Sequence, residues 1–140
     1  MARILIVEDS HSQMASFKRL VESMGHLPIC AVSADEALAW MEEVVSGSIQ
    51  TTALGSHKPD LILMDVLMPG SNGYQATRRL TRDPRTSSIP IIMMSTKAEP
   101  PDQIWGIKQG ASAYLAKPIA DEDLISAIQT HLNMAHENKA

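Results

Sequence analysis

Short apolar runs recur along this chain, each followed by a stretch with helical spacing, and this alternation restricts the fold more than any other feature. The runs are Ile4–Val7, Leu27–Val32, Leu61–Met64, Ile89–Met94 and Ala113–Ala116. A continuous apolar run of this length fits a strand buried on both faces, which is the habit of parallel sheets. Between the runs, apolar residues return every three or four positions, giving helices with one apolar face. Strands alternating with helices imply a parallel sheet covered on both sides. At 140 residues the expected result is one α/β domain of the flavodoxin-like, doubly wound kind. Its five parallel strands would run in the order 2-1-3-4-5, with five helices.

The helix boundaries are marked locally. Ser10 with Gln13, and Ser33 with Glu36, have capping-box spacing. Met14, Phe17, Val21 and Met24 form the inner face of the first helix, with Gly25 as its stop; Ala37, Leu38, Met41 and Val45 form that of the second. Ala76, Leu80 and Tyr74 are assigned to the third, which ends at Asp83-Pro84. Pro100-Pro101 suit the first turn of the fourth helix, where no amide hydrogen is needed. Ile104 and Ile107 are expected to give that helix its apolar side, and Gly110 to stop it. Asp121 opens the last helix, with Leu124, Ile125, Ile128 and Leu132 on one face. The core is expected over about residues 3–132, with a polar, fraying tail at 133–140. Residues 46–58 break the pattern. They read as an extended, solvated surface loop, longer than the usual connection of about 2–6 residues, in which Ile49 and Leu54 could also prolong the second helix or fold back.

In such sheets, ligands bind beyond the carboxyl ends of the strands. Here those ends carry Glu8-Asp9, Asp65, Ser95 and Lys117. Each has an ordinary explanation alone: a solvated helix entry, a turn serine, a surface lysine. Together they put three carboxylates, a hydroxyl and an amine on one edge. Clustered carboxylates repel, and one of them resists ionising unless a cation intervenes. An all-oxygen donor set suits Mg²⁺, with Mn²⁺ also possible. Asp65 could then attack a phosphoryl donor to form an acyl phosphate, with Mg²⁺ and Lys117 stabilising the transferred charge. Ser95 could donate to a phosphoryl oxygen.

Charge and composition narrow the partners. A net charge of −4 argues against nucleic acid, which favours a basic patch. The lone Cys30 fits a reducing compartment and reads as a small buried side chain. No stretch reads as a signal peptide or membrane span, so a cytoplasmic protein is expected. The five histidines show no metal-ligand spacing. Trp105 could pack or form a contact surface.

The chain resembles the receiver domain of response regulators in two-component signalling, the chemotaxis type that stands alone. The resemblance spans Ile4 to about Leu132 and rests on Ile4–Ser10, on Asp65–Pro69 with Gly73 eight residues after the aspartate, on Ser95-Thr96 and on Tyr114–Pro118. It implies that Asp65 is the phosphoacceptor, and that Glu8, Asp9, Asp65 and the main-chain carbonyl of Leu67 hold Mg²⁺. It implies that Ser95 and Lys117 bind the phosphoryl group, that Ser95 and Tyr114 form the switch, and that Lys117-Pro118 is a cis peptide. The partners would be a chemotaxis-type histidine kinase and a downstream protein effector, met on a surface around Trp105, Tyr114 and Leu124. The protein would be a switch rather than an enzyme, as a monomer or weak dimer. Gly73–Thr81 and Trp105–Ala111 further resemble the PilH-type regulators of type IV pilus twitching motility. Three departures stand out: the long 46–58 segment, Thr96 where alanine is common, and Glu8 in place of the commoner aspartate. Two rival readings are an interaction module on the same fold that is never phosphorylated, and a flavodoxin-like enzyme such as a flavin carrier. For the latter, Glu8-Asp9 would repel a cofactor phosphate.

Overall fold

The structure, a computed structural model, describes residues 1–48, 54–68 and 71–138. Strands β1 (Arg3–Val7), β2 (Leu27–Ala31), β3 (Leu61–Asp65), β4 (Ile91–Ser95) and β5 (Ala113–Ala116) alternate with helices α1 (His11–Ser23), α2 (Ala34–Ser46), α3 (Gly73–Arg82), α4 (Pro100–Lys108) and α5 (Asp121–Asn138). All the strands pair in parallel, in the order β2-β1-β3-β4-β5. A further two-residue ladder joins Leu67–Met68 to Ser71–Asn72. The fold class read from the sequence is the one observed.

Because side chains alternate along a strand, the sheet builds two cores. Leu5, Val7, Ile62 and Met64 face α2 and α3, where Trp40, Met41, Ala76 and Leu80 cover them. Ile4, Ile6, Leu61, Leu63, Ile92 and Met94 face α1 and α5, against Leu20, Val21, Leu124 and Ile128. The central strand side chains are fully buried, each worth about 1.5–3 kcal/mol relative to exposure. Pro28 is tolerated because β2 is an edge strand. Among the described residues, no helix is long and apolar enough to cross a membrane.

Several expectations need correction. Strand β2 stops at Ala31, and β4 starts at Ile91 and includes Ser95. Pro90 cannot donate to a ladder, so Ile89 lies outside the strand, although it is buried. The polar tail does not fray at residue 133: α5 continues to Asn138. Helix α4 turns Ile104 and Ile107 outward, 57% and 49% exposed, and Gly106 is its buried residue. Cys30 is only half-buried. Helix α2 ends at Gly47, whose φ of 73° is the left-handed conformation that glycine adopts without strain. Of the 46–58 segment, residues 49–53, including Ile49, lie outside the described residues. Leu54 packs against the α2–α3 core, and the Trp40 indole donates to the Gly55 carbonyl at 2.8 Å. Residues 55–58 are exposed, as a solvated loop requires, and these two contacts tie that loop to α2.

Candidate functional site

Register brings the strand ends together. Val7 pairs with Met64, Asp65 with Met94 and Ser95 with Ala116. Glu8, Asp65, Ser95 and Lys117 therefore reach the same edge of the sheet. Glu8, Asp65 and Ser95 are buried at 1%, 3% and 0% exposure, while Asp9 is exposed. One carboxylate oxygen from each of Glu8, Asp9 and Asp65 falls within a group no more than 4.8 Å across. Oxygen donors alone, two buried and one open to water, fit a hard divalent cation that retains part of its hydration shell.

Lys117 closes the cluster. Its Nζ donates to Glu8 Oε1 at 2.7 Å and to Gln13 Oε1 at 2.5 Å, and lies 3.4 Å from Asp65 Oδ1. The ammonium also sits 5.8 Å from the centre of the Phe17 ring, within range of a cation–π attraction. Burial pushes the Asp65 carboxyl up to about 6, with its hydrogen bond to Glu8 adding to the rise and Lys117 opposing it. Burial also raises Glu8, but hydrogen bonds from Lys117 and the Ser10 amide, with that from Asp65, outweigh it and leave Glu8 below its ordinary value. The two carboxyls titrate as a pair, with Asp65 raised and Glu8 lowered.

The backbone is shaped around Asp65. A Cβ on Gly73 would lie 2.7 Å from the Asp65 carbonyl oxygen and 2.9 Å from Val66 Cα, so only glycine lets α3 start this close to β3. Asn72 caps that helix, accepting from the Tyr74 and Gln75 amides. The Leu67 amide donates to Asp65 Oδ1 at 3.3 Å. Part of the Met68–Gly73 turn, Pro69 and Gly70, lies outside the described residues. The Lys117-Pro118 peptide is cis.

Ser95 is linked outward. Its Oγ accepts from the Lys97 amide at 2.9 Å, and the Lys97 carbonyl accepts from the Tyr114 hydroxyl at 2.6 Å. Tyr114 spends its proton there, so the 3.1 Å contact between the Tyr74 and Tyr114 hydroxyls is a bond that Tyr74 donates. The Tyr114 ring fills the space over Gly106, where a Cβ would lie 2.6 Å from Cδ2. Trp105 is 54% exposed beside Ile104 and Ile107. Leu124 was expected on this surface and is not there: at 2% exposure it packs against β1, β3 and β4 in the α1–α5 core. Thr96 is exposed and lines a cleft of about 550 Å³ with Gln13, Phe17 and Lys117.

Gln13 and Tyr74 were legible only as a cap and a core residue. The Gln13 amide does donate to Ser10 Oγ, but its side chain goes to Lys117, and the Ser10 amide goes to Glu8 Oε2 instead. Nothing in helical spacing signals a partner 104 residues away.

Comparisons with known proteins bear on the family and the fold. The family profile "Response regulator receiver domain" matches residues 4–129. The chain is 41% identical over 132 residues to Protein PilH of Pseudomonas aeruginosa, covering 94% of this chain and 98% of that one. A CheY-like receiver domain from Methanospirillum hungatei superposes with a TM-score of 0.81 at 24% identity, covering 99% and 98% of the two chains. The chemotaxis protein CheY4 of Vibrio cholerae gives 0.78 at 26% identity, covering 93% and 98%.

Proposed function

The chain belongs to the response-regulator receiver family, whose members are signalling switches, and from that premise we propose that it takes a phosphoryl group from a histidine kinase onto Asp65. The observation that carries the reading is a buried carboxyl grouped with those of Glu8 and Asp9, with the Lys117 ammonium 3.4 Å away. In the transfer, an ionised Asp65 oxygen attacks phosphorus. The phosphorus–nitrogen bond of the donor breaks, its electron pair returns to the imidazole nitrogen, which takes a proton from solvent, and an acyl phosphate forms. Hydrolysis later restores the carboxylate and releases phosphate. Glu8, Asp9 and Asp65, with the Leu67 carbonyl, would hold Mg²⁺ or Mn²⁺, which would neutralise the phosphoryl oxygens. Lys117 pairs with one of those oxygens, and the Ser95 hydroxyl donates to another.

The signal leaves by a population shift toward a conformer that an effector binds better. Ser95 and Tyr114 form the switch, and Trp105 with Ile104 and Ile107 forms the surface that the effector meets. The receiver acts in the cytoplasm as a monomer or weak dimer. Similarity to PilH and to a chemotaxis protein supports type IV pilus twitching or chemotaxis-like signalling. The test is labelling by acetyl phosphate. Label appears with Mg²⁺, is lost in EDTA and is absent from Asp65→Asn. Wild-type protein that stays unlabelled, or label that survives the substitution, overturns the reading. Phosphotransfer profiling against the organism's histidine kinases then identifies the donor.

A further inference from the structure

We propose that Gln13 is a positioning residue that keeps the Lys117 ammonium at the phosphoryl site when Glu8 is drawn to a cation; this rests on the phosphorylation reading above. An ammonium has three protons to donate. In the structure Glu8 Oε1 takes one at 2.7 Å and Gln13 Oε1 another at 2.5 Å. Asp65 Oδ1, at 3.4 Å, is near enough for ion pairing but long for a hydrogen bond. The third proton is thus left for an oxygen on the Asp65 side.

The two acceptors respond differently to a cation. Glu8 is also a member of the carboxylate group. Once its charge is shared with a divalent ion, its hold on Lys117 weakens, and the ion itself repels the ammonium at close range. Gln13 is neutral, stands outside the carboxylate group and comes from the first turn of α1. Its amide oxygen keeps its hydrogen bond whatever the state of the cation site. With the Phe17 ring 5.8 Å away, α1 supplies a second anchor for Lys117 on the wall of the cleft that all three residues line. The helix does not need the Gln13 side chain, because the cap on Ser10 uses the Gln13 backbone amide.

The test compares wild type with Gln13→Met, which keeps length and helix propensity and removes the acceptor. Gln13→Ala serves as a second variant. Calorimetric titration measures Mg²⁺ affinity alone, then affinity for beryllofluoride, a phosphoryl mimic, at saturating Mg²⁺. The expected result is beryllofluoride affinity about fivefold weaker, the scale of one net hydrogen bond, with Mg²⁺ affinity changed less than about twofold. Unchanged beryllofluoride affinity in both variants overturns the role of Gln13. A parallel loss of both affinities also overturns it, since that is what a merely structural residue would give. Wild-type protein that acetyl phosphate cannot label at Asp65 overturns the phosphorylation reading, and this one with it. Normal labelling with an unaltered variant removes this one alone.

Discussion

Asp65 works against the stability of the cation-free fold, and the sign follows from its proton. The folded carboxyl holds its proton up to about pH 6, whereas an unfolded aspartate releases it near 3.8. Between those values the folded state binds more protons, so stability falls as pH rises through the window, and the cost persists above it. Asp65→Asn is therefore expected to stabilise the protein in EDTA at pH 7 by about 3 kcal/mol, with the gain gone below about pH 4. Thermal melts of the two proteins from pH 4 to 7.5 check this; equal melting temperatures at pH 7 would contradict it. At this scale the sequence was informative where chemistry sits at a strand end. Asp65, Glu8, Ser95 and Lys117 follow apolar runs, and register then brings them together. It was uninformative where a side chain spans two distant segments, as Gln13 does to Lys117. The resemblance misled at Leu124, placing it on the contact surface, whereas helical spacing had set it on the apolar face of α5, where it is buried.

Helices α2 and α4 show why amphipathic patterns are read well in one case and poorly in another. In α2 the face read as Ala37, Leu38, Met41 and Val45 is packed against the sheet. Trp40, omitted from that face, is 3% exposed and anchors the incoming end of the 46–58 segment through Gly55. Trp40→Phe keeps an aromatic ring but loses the pyrrole half of the indole with its hydrogen bond, so a loss of about 1–3 kcal/mol is expected. Trp40→Ala adds a cavity and should cost about 3–5 kcal/mol. Urea denaturation separates the two, and a Trp40→Phe loss near zero would mean that the indole hydrogen bond contributes nothing. In α4 the apolar residues mislead because the inner contact is made by Gly106, a residue with no side chain to register in a pattern. Tyr114 Cδ2 and Met93 Sδ occupy the space a Cβ would need, at 2.6 and 2.9 Å. Gly106→Ala is therefore expected to lower stability by about 1–3 kcal/mol through overpacking, again read by denaturation. A neutral result would show that the ring yields without cost.

Across the whole molecule, the site and the exposed α4 surface are joined by one hydrogen-bonded series: Ser95 Oγ, the Lys97 peptide, the Tyr114 hydroxyl and the Tyr74 hydroxyl. It crosses from β4 to β5 to α3, and the Tyr114 ring within it lies against Gly106 of α4. Any movement that draws Ser95 toward a phosphoryl oxygen pulls on the Lys97 amide and so on the acceptor that holds Tyr114. Trp105 adjoins Gly106 and is half-exposed, so its indole lies where a shift of α4 would change its solvation. The other tryptophan, Trp40, is buried on α2 in the core that α2 and α3 cover, and Trp40→Phe leaves Trp105 as the sole reporter. In that background, beryllofluoride with Mg²⁺ is expected to shift the Trp105 emission. Ser95→Ala should abolish the shift, because it removes the first acceptor of the series while leaving the carboxylates in place. Tyr74→Phe should reduce the shift without abolishing it, since Tyr114 keeps its bond to the Lys97 carbonyl and loses only the proton that Tyr74 donates. An emission shift that survives Ser95→Ala at full size would mean that α4 senses the anion by another route, such as the field of the added charge. A coupling through two-state packing predicts instead that the Ser95 and Tyr74 substitutions are non-additive, because each interrupts the same series.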